Sequence, residues 1–145
     1  MTTSALPSVP PPELGVSYRL AAPRAATTPK IVRELVAVLL TAFGHEDIVE
    51  QAKLCVSEVV TNAYLHTRTN LITVDVSLSS DCFTVWVNDD RPEWLPRVPR
   101  TAPPWREENG RGLFLVSRVA DRWDVATNSA GAKRFGFSIG YQGAA

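Results

Sequence analysis

Hydrophobic and polar positions along the chain change period several times, and each change marks an element. Residues 16–21 alternate Val16, Tyr18 and Leu20 with Ser17 and Arg19, which predicts a half-buried first strand. Thr28 followed by Pro29 reads as an N-cap and a first-turn proline, and the pattern after it predicts a helix with Ile31, Leu35, Val38, Leu39 and Phe43 inward, ended by Gly44. Asp47 and Glu50 have the spacing of a capping box. The second helix that follows, to about residue 66, places Ile48, Ala52, Cys55, Val56, Val59 and Ala63 on one stripe.

The period then becomes two. Residues 71–79 alternate Ile72, Val74, Val76 and Leu78 with polar residues, and 82–89 carry Phe83, Val85 and Val87 on one face, so Ser80 and Asp81 read as a hairpin turn. Residues 90–109 hold five prolines and no periodicity, as expected of a lid or binding loop. A short helix over 110–120 offers Leu113, Phe114, Val116 and Val119 for packing. Strands over 121–128 and 132–140 finish the domain, with Asn128 to Gly131 as their turn. This order predicts an α/β two-layer sandwich: a mixed, mostly antiparallel sheet with helices on one face. A doubly wound fold would need helices between most successive strands.

Composition narrows the picture little. A chain of 145 residues suits one domain, expected over 15–141, and residues 1–14, rich in Ser and Pro, read as a disordered leader. Fifteen basic and fifteen acidic residues give no net charge, which argues against nucleic acid as a direct partner. Cys55 and Cys82 both sit among apolar residues and look like buried thiols of a reducing compartment. No apolar run approaches a membrane span, so the expected location is cytoplasmic with no membrane contact.

The chemistry-bearing residues are few. Glu58 and Asn62 are four apart on a helix, share a face, and border the apolar stripe, where polar groups are costly without partners. Asp89 continues the apolar face of Phe83, Val85 and Val87, so its carboxylate belongs at a rim or in a pocket. Asp90 is on the opposite face by the same alternation. Gly110 and Gly112 flank Arg111 at the start of a helix, where free amides suit phosphate oxygens. A lone glycine pair of this kind is also a common turn. A dinucleotide fingerprint and a Walker loop are both absent. His45 and His66 lack cysteines or carboxylates at zinc-ligand spacing.

Taken in order, Glu58-x-x-x-Asn62-Ala63, Val85-x-Val87-x-Asp89, Gly110-x-Gly112-Leu113 and Gly131-x-Lys133 resemble the GHKL (Bergerat-fold, histidine-kinase-like) ATP-binding proteins. Within them the chain is similar to the stand-alone anti-sigma-factor serine kinases. The resemblance implies ATP and Mg2+ as cofactors, with Asn62 as the metal ligand, Glu58 as the catalytic carboxylate and Asp89 as the adenine acceptor. It places Gly110, Arg111, Gly112 and Leu113 on the phosphate segment at the end of the lid, and Lys133 at a position often polar or basic. It implies serine/threonine-protein kinase activity on an anti-anti-sigma (STAS-like) protein, with a sigma factor and a homodimer as further partners. A catalytically inactive ATP-binding module that sequesters its partner is the alternative. The run Asp89-Asp90-Arg91 departs from the superfamily, which commonly has glycine in the third place. That departure points to weaker nucleotide affinity or to a lid fixed by a partner.

Overall fold

The computed structural model describes residues 15–66, 70–89, 101, 111–127 and 133–142, without the side chains of His66, Asp89, Arg111, Thr127 and Lys133. The expected leader, Asp90, Arg91, Gly110, the turn at 128–131 and, save residue 101, the lid lie outside the described residues. The elements run β1 (Gly15–Pro23), α1 (Thr28–Ala42), a 3-10 turn (Glu46–Ile48) and α2 (Val49–His66). They continue with β2 (Leu71–Ser79), β3 (Cys82–Asp89), α3 (Arg111–Val119), β4 (Arg122–Thr127) and β5 (Lys133–Gly140).

The strands form one five-stranded sheet in the order β1-β2-β3-β5-β4. A mixed sheet was the expectation, yet all four neighbouring pairs are antiparallel. The reason lies in the last hairpin. The long connection after β3 returns β4 in the same direction as β3, but β5 inserts between them, so the two parallel strands never pair. Ile72, Val74, Val76, Leu78, Phe83, Val85, Val87, Phe135, Phe137 and Ile139 are buried on one sheet face, in one core with all three helices. The two-layer α/β sandwich is therefore the fold.

Helix α1 departs from expectation in two ways. Thr27, not Thr28, is the N-cap of α1 and makes no side-chain cap bond; the buried Thr28 hydroxyl instead donates to the Pro23 carbonyl at 2.7 Å. The inward face of α1 is Val32, Val36, Leu39 and Leu40, while Ile31 and Val38 are 55% and 64% exposed and Phe43 is also exposed. This helix carries two apolar stripes, and periodicity cannot tell which of them α2 will cover. The C-terminus is as expected. Gly44 takes φ +81°, and the amides of Gly44 and His45 donate to the carbonyls of Thr41 and Leu40, a Schellman closure that glycine makes without strain.

The capping box at Asp47 does not form. A 3-10 turn precedes α2, and the Asp47 carboxylate accepts from the Gln142 amide at 2.6 Å, tying the chain end to the helical layer. Every member of the stripe expected on α2 is buried, and Val60 joins it. Cys55 and Cys82 are both free thiols; Cys55 is buried and Cys82 partly so.

The helix-free face of the sheet is polar. Arg19 pairs with Asp75 through Nε and Nη2 at 2.6 and 3.1 Å, and Asn88 Nδ2 donates to the same carboxylate at 3.0 Å. Trp86, 5% exposed, lies over Gly136 on the neighbouring strand, with the Arg134 guanidinium 4.1 Å from its ring centroid.

Candidate functional site

Helix α2 positions the two groups that sequence singled out. The buried side chains of Cys55, Val59 and Ala63 root the helix in the core, and the next face round it presents Glu58 and Asn62, both partly buried. Asn62 Nδ2 donates to the Glu58 backbone carbonyl at 3.1 Å. That bond uses one of the amide's two N–H donors and leaves Oδ1 as the oxygen that can accept or ligate.

Glu58 sits in a wall made by α3. Burial pushes its carboxyl above the usual carboxylate range, since desolvation disfavours the charged form. Gly112, the second residue of α3, is packed on it: a Cβ at 112 would overlap Oε2 and stand 3.1 Å from Cδ. One turn back, burial and then the Glu58 charge push the Cys55 thiol up to about 12, so it stays protonated and inert at neutral pH.

Three of the candidate residues are thus brought together: Glu58, Asn62 and Gly112. Leu113 is nearly fully buried, so its side chain anchors α3 and only its main chain at the helix start can meet a ligand. Arg111 opens α3; its side chain lies outside the described residues, as does the whole of Gly110. Asp89 and Lys133 are directly opposite each other at the ends of β3 and β5, continuing the core-facing row of Val87 and Phe135. Their side chains are outside the described residues. Among the described residues no cluster of three or more His, Cys, Asp or Glu is placed to hold a metal. His45 is stacked on Tyr141 at 3.5 Å between centroids, which gives it a structural role.

Sequence reasoning missed the contact between Gly112 and Glu58. A glycine at a helix start reads as a turn, and nothing in its spacing says which side chain will take the space of its missing Cβ.

The fold thus sets the acid–amide pair of α2 beside the first turn of α3. The model of the histidine kinase-like ATPase domain matches residues 21–133, and the chain belongs to that family. No curated protein matches the chain. Among solved structures, the chain is similar to the RsbU and RsbW domains of Rv1364c from Mycobacterium tuberculosis, with a TM-score of 0.63 and 15% identity. The match covers 86% of this chain but 32% of that one, so this chain spans about a third of the solved protein's length. At that identity the likeness shows the shared fold.

Proposed function

We propose that the protein is an ATP- and Mg2+-binding anti-sigma regulator that transfers the γ-phosphoryl group to a serine or threonine of an anti-anti-sigma partner. The observation that carries the reading is the placement of Glu58 and Asn62 on one face of α2, with Glu58 against Gly112 in the first turn of α3. Family membership supports nucleotide binding. The likeness to a structure containing an RsbW domain, together with the sequence resemblance to anti-sigma-factor serine kinases, supports the regulatory role.

The residues fit the groups they would hold. Mg2+ takes hard oxygen ligands, keeps several waters, and often needs only one or two protein ligands beside substrate phosphates. Asn62 Oδ1, oriented by the bond from Nδ2 to the Glu58 carbonyl, supplies one such oxygen. The amides opening α3 would meet phosphate oxygens, Asp89 would accept from the adenine amine, and Lys133 opposite it would add positive charge at the rim. ATP supplies the phosphoryl group and Mg2+ offsets its charge.

Glu58 then has a definite task. Its half-buried carboxylate, made more basic by desolvation, accepts the proton of the attacking hydroxyl and orients that oxygen. Glu58→Gln keeps the shape and removes the basicity, so label transfer from [γ-32P]ATP to the partner captured on the immobilised chain should fall about 10²–10⁴-fold. ATP binding should persist. Unchanged transfer in Glu58→Gln would reject the catalytic assignment. ATP binding and partner capture without transfer in the wild type would favour regulation by sequestration.

A further inference from the structure

We propose that Gly112 is the positioning residue for the Glu58 carboxylate: the bare Cα at the start of α3 is the surface that fixes where this side chain can reach. The inference rests on the catalytic reading of Glu58, and its geometric part can be tested without it.

The contact is between a rigid wall and a movable group. An added Cβ at 112 would overlap Glu58 Oε2 and lie 3.1 Å from Cδ and 3.3 Å from Cβ of the same residue. All three nearest atoms belong to Glu58. Helix α3 is held by Leu113, Val116 and Ala120, all buried, and shifting it would open the core. On the other side, α2 is fixed at this level by the buried Cys55 and Val59. The Glu58 side chain is the part free to yield, by changing rotamer. Bulk at 112 therefore moves chiefly the carboxylate, while the contact with Glu58 Cβ at 3.3 Å asks the two helices to give only slightly.

The consequence for function is selective. Asn62 is oriented by the Glu58 backbone carbonyl, not by its carboxylate, so displacing the side chain leaves the amide bond intact. Gly112→Ala keeps the main-chain amide that would meet phosphate, so kcat for transfer should fall about 10²-fold, the scale of an ångström-sized misplacement of a reacting group, and by more than any change in the apparent KM for ATP. A merely structural glycine would lower stability and leave kcat per folded molecule unchanged.

The test is a cycle of four proteins: wild type, Gly112→Ala, Glu58→Ala and the double variant. Urea midpoints are measured for all four, and label transfer from [γ-32P]ATP to the captured partner for the first two. With Glu58 truncated to its Cβ the contacts with Oε2 and Cδ are gone, so alanine at 112, the better helix former, should shift the midpoint upward relative to its effect with Glu58 present. A Gly112→Ala chain that folds only in the Glu58→Ala background gives the same answer. Equal midpoint shifts in both backgrounds overturn the contact. Coupled midpoints with unchanged kcat in Gly112→Ala overturn the positioning role. If Glu58→Gln retains full transfer, the catalytic reading fails, and the midpoint cycle alone still decides whether Gly112 places the carboxylate.

Discussion

Gly136→Ala probes the sheet where two strands leave no room for a side chain. Gly136 lies opposite Trp86 in the β3–β5 register, and a Cβ at 136 would stand 2.5 Å from both Cδ2 and Cε3 of the indole. Ordinary carbon–carbon contacts are about 3.5–4.0 Å, so the deficit is about 1 Å against two ring atoms. The ring has little freedom to retreat, being 5% exposed with the Arg134 guanidinium 4.1 Å from its centroid. Overpacking of this kind costs about 1–3 kcal/mol, and the lower entropy of the unfolded alanine chain returns about 0.4–1 kcal/mol. The net loss of about 1–2 kcal/mol corresponds to a Tm lower by about 3–8 °C for a domain of this size. Thermal unfolding followed by circular dichroism measures it. In a Trp86→Ala background the space opens and Gly136→Ala should become neutral or stabilising. A Tm that rises on Gly136→Ala in the otherwise wild-type protein would refute the close approach of the indole to β5.

Other outcomes follow from the packing and from the titrating groups. Leu40→Ala, at a fully buried position of α1, should cost about 2–5 kcal/mol in urea unfolding, whereas Ile31→Lys on the exposed stripe should change stability by no more than about 0.5 kcal/mol; reversed magnitudes would restore the face expected from periodicity. Burial pushes the Cys55 thiol up to about 12, well above the ordinary thiol range, so the unfolded thiol ionises first as pH rises. Its contribution to stability is complete below about pH 9 and lost between there and about pH 12, and iodoacetamide at pH 8 should leave Cys55 unmodified until the protein unfolds. For Glu58 the folded carboxyl is raised by burial, so its ionisation destabilises the fold as pH rises above the unfolded value. Glu58→Gln should therefore unfold at higher urea than wild type at pH 7, with the gap closing below pH 4; a variant less stable at pH 7 would contradict the burial cost.

Much of this architecture was legible because period-two segments with turn residues between them have few alternatives. The β2–β3 hairpin has its turn at Ser80 and Asp81, and the stripe from Ile48 to Ala63 faces inward throughout. The face of α1 was not legible, because Ile31-Leu35-Val38 and Val32-Val36-Leu39 are both apolar and only the position of α2 chooses between them. Asp47 looked like a helix cap and instead holds the amide of Gln142, a partner far along the chain that no local pattern announces. At the site, the shared face of Glu58 and Asn62 came directly from their spacing. The wall that Gly112 gives Glu58 did not, since it depends on how closely α3 docks on α2.

Mg2+-dependent ATP binding at Asn62 and its surroundings underlies the proposed function, and calorimetric titration of ATP into the protein measures it. Saturable heat strengthened by Mg2+ is the expected result, and Asn62→Ala should lose that Mg2+ dependence with its fold intact by circular dichroism. No heat at millimolar ATP with Mg2+, or an Asn62→Ala titration indistinguishable from wild type, would contradict it.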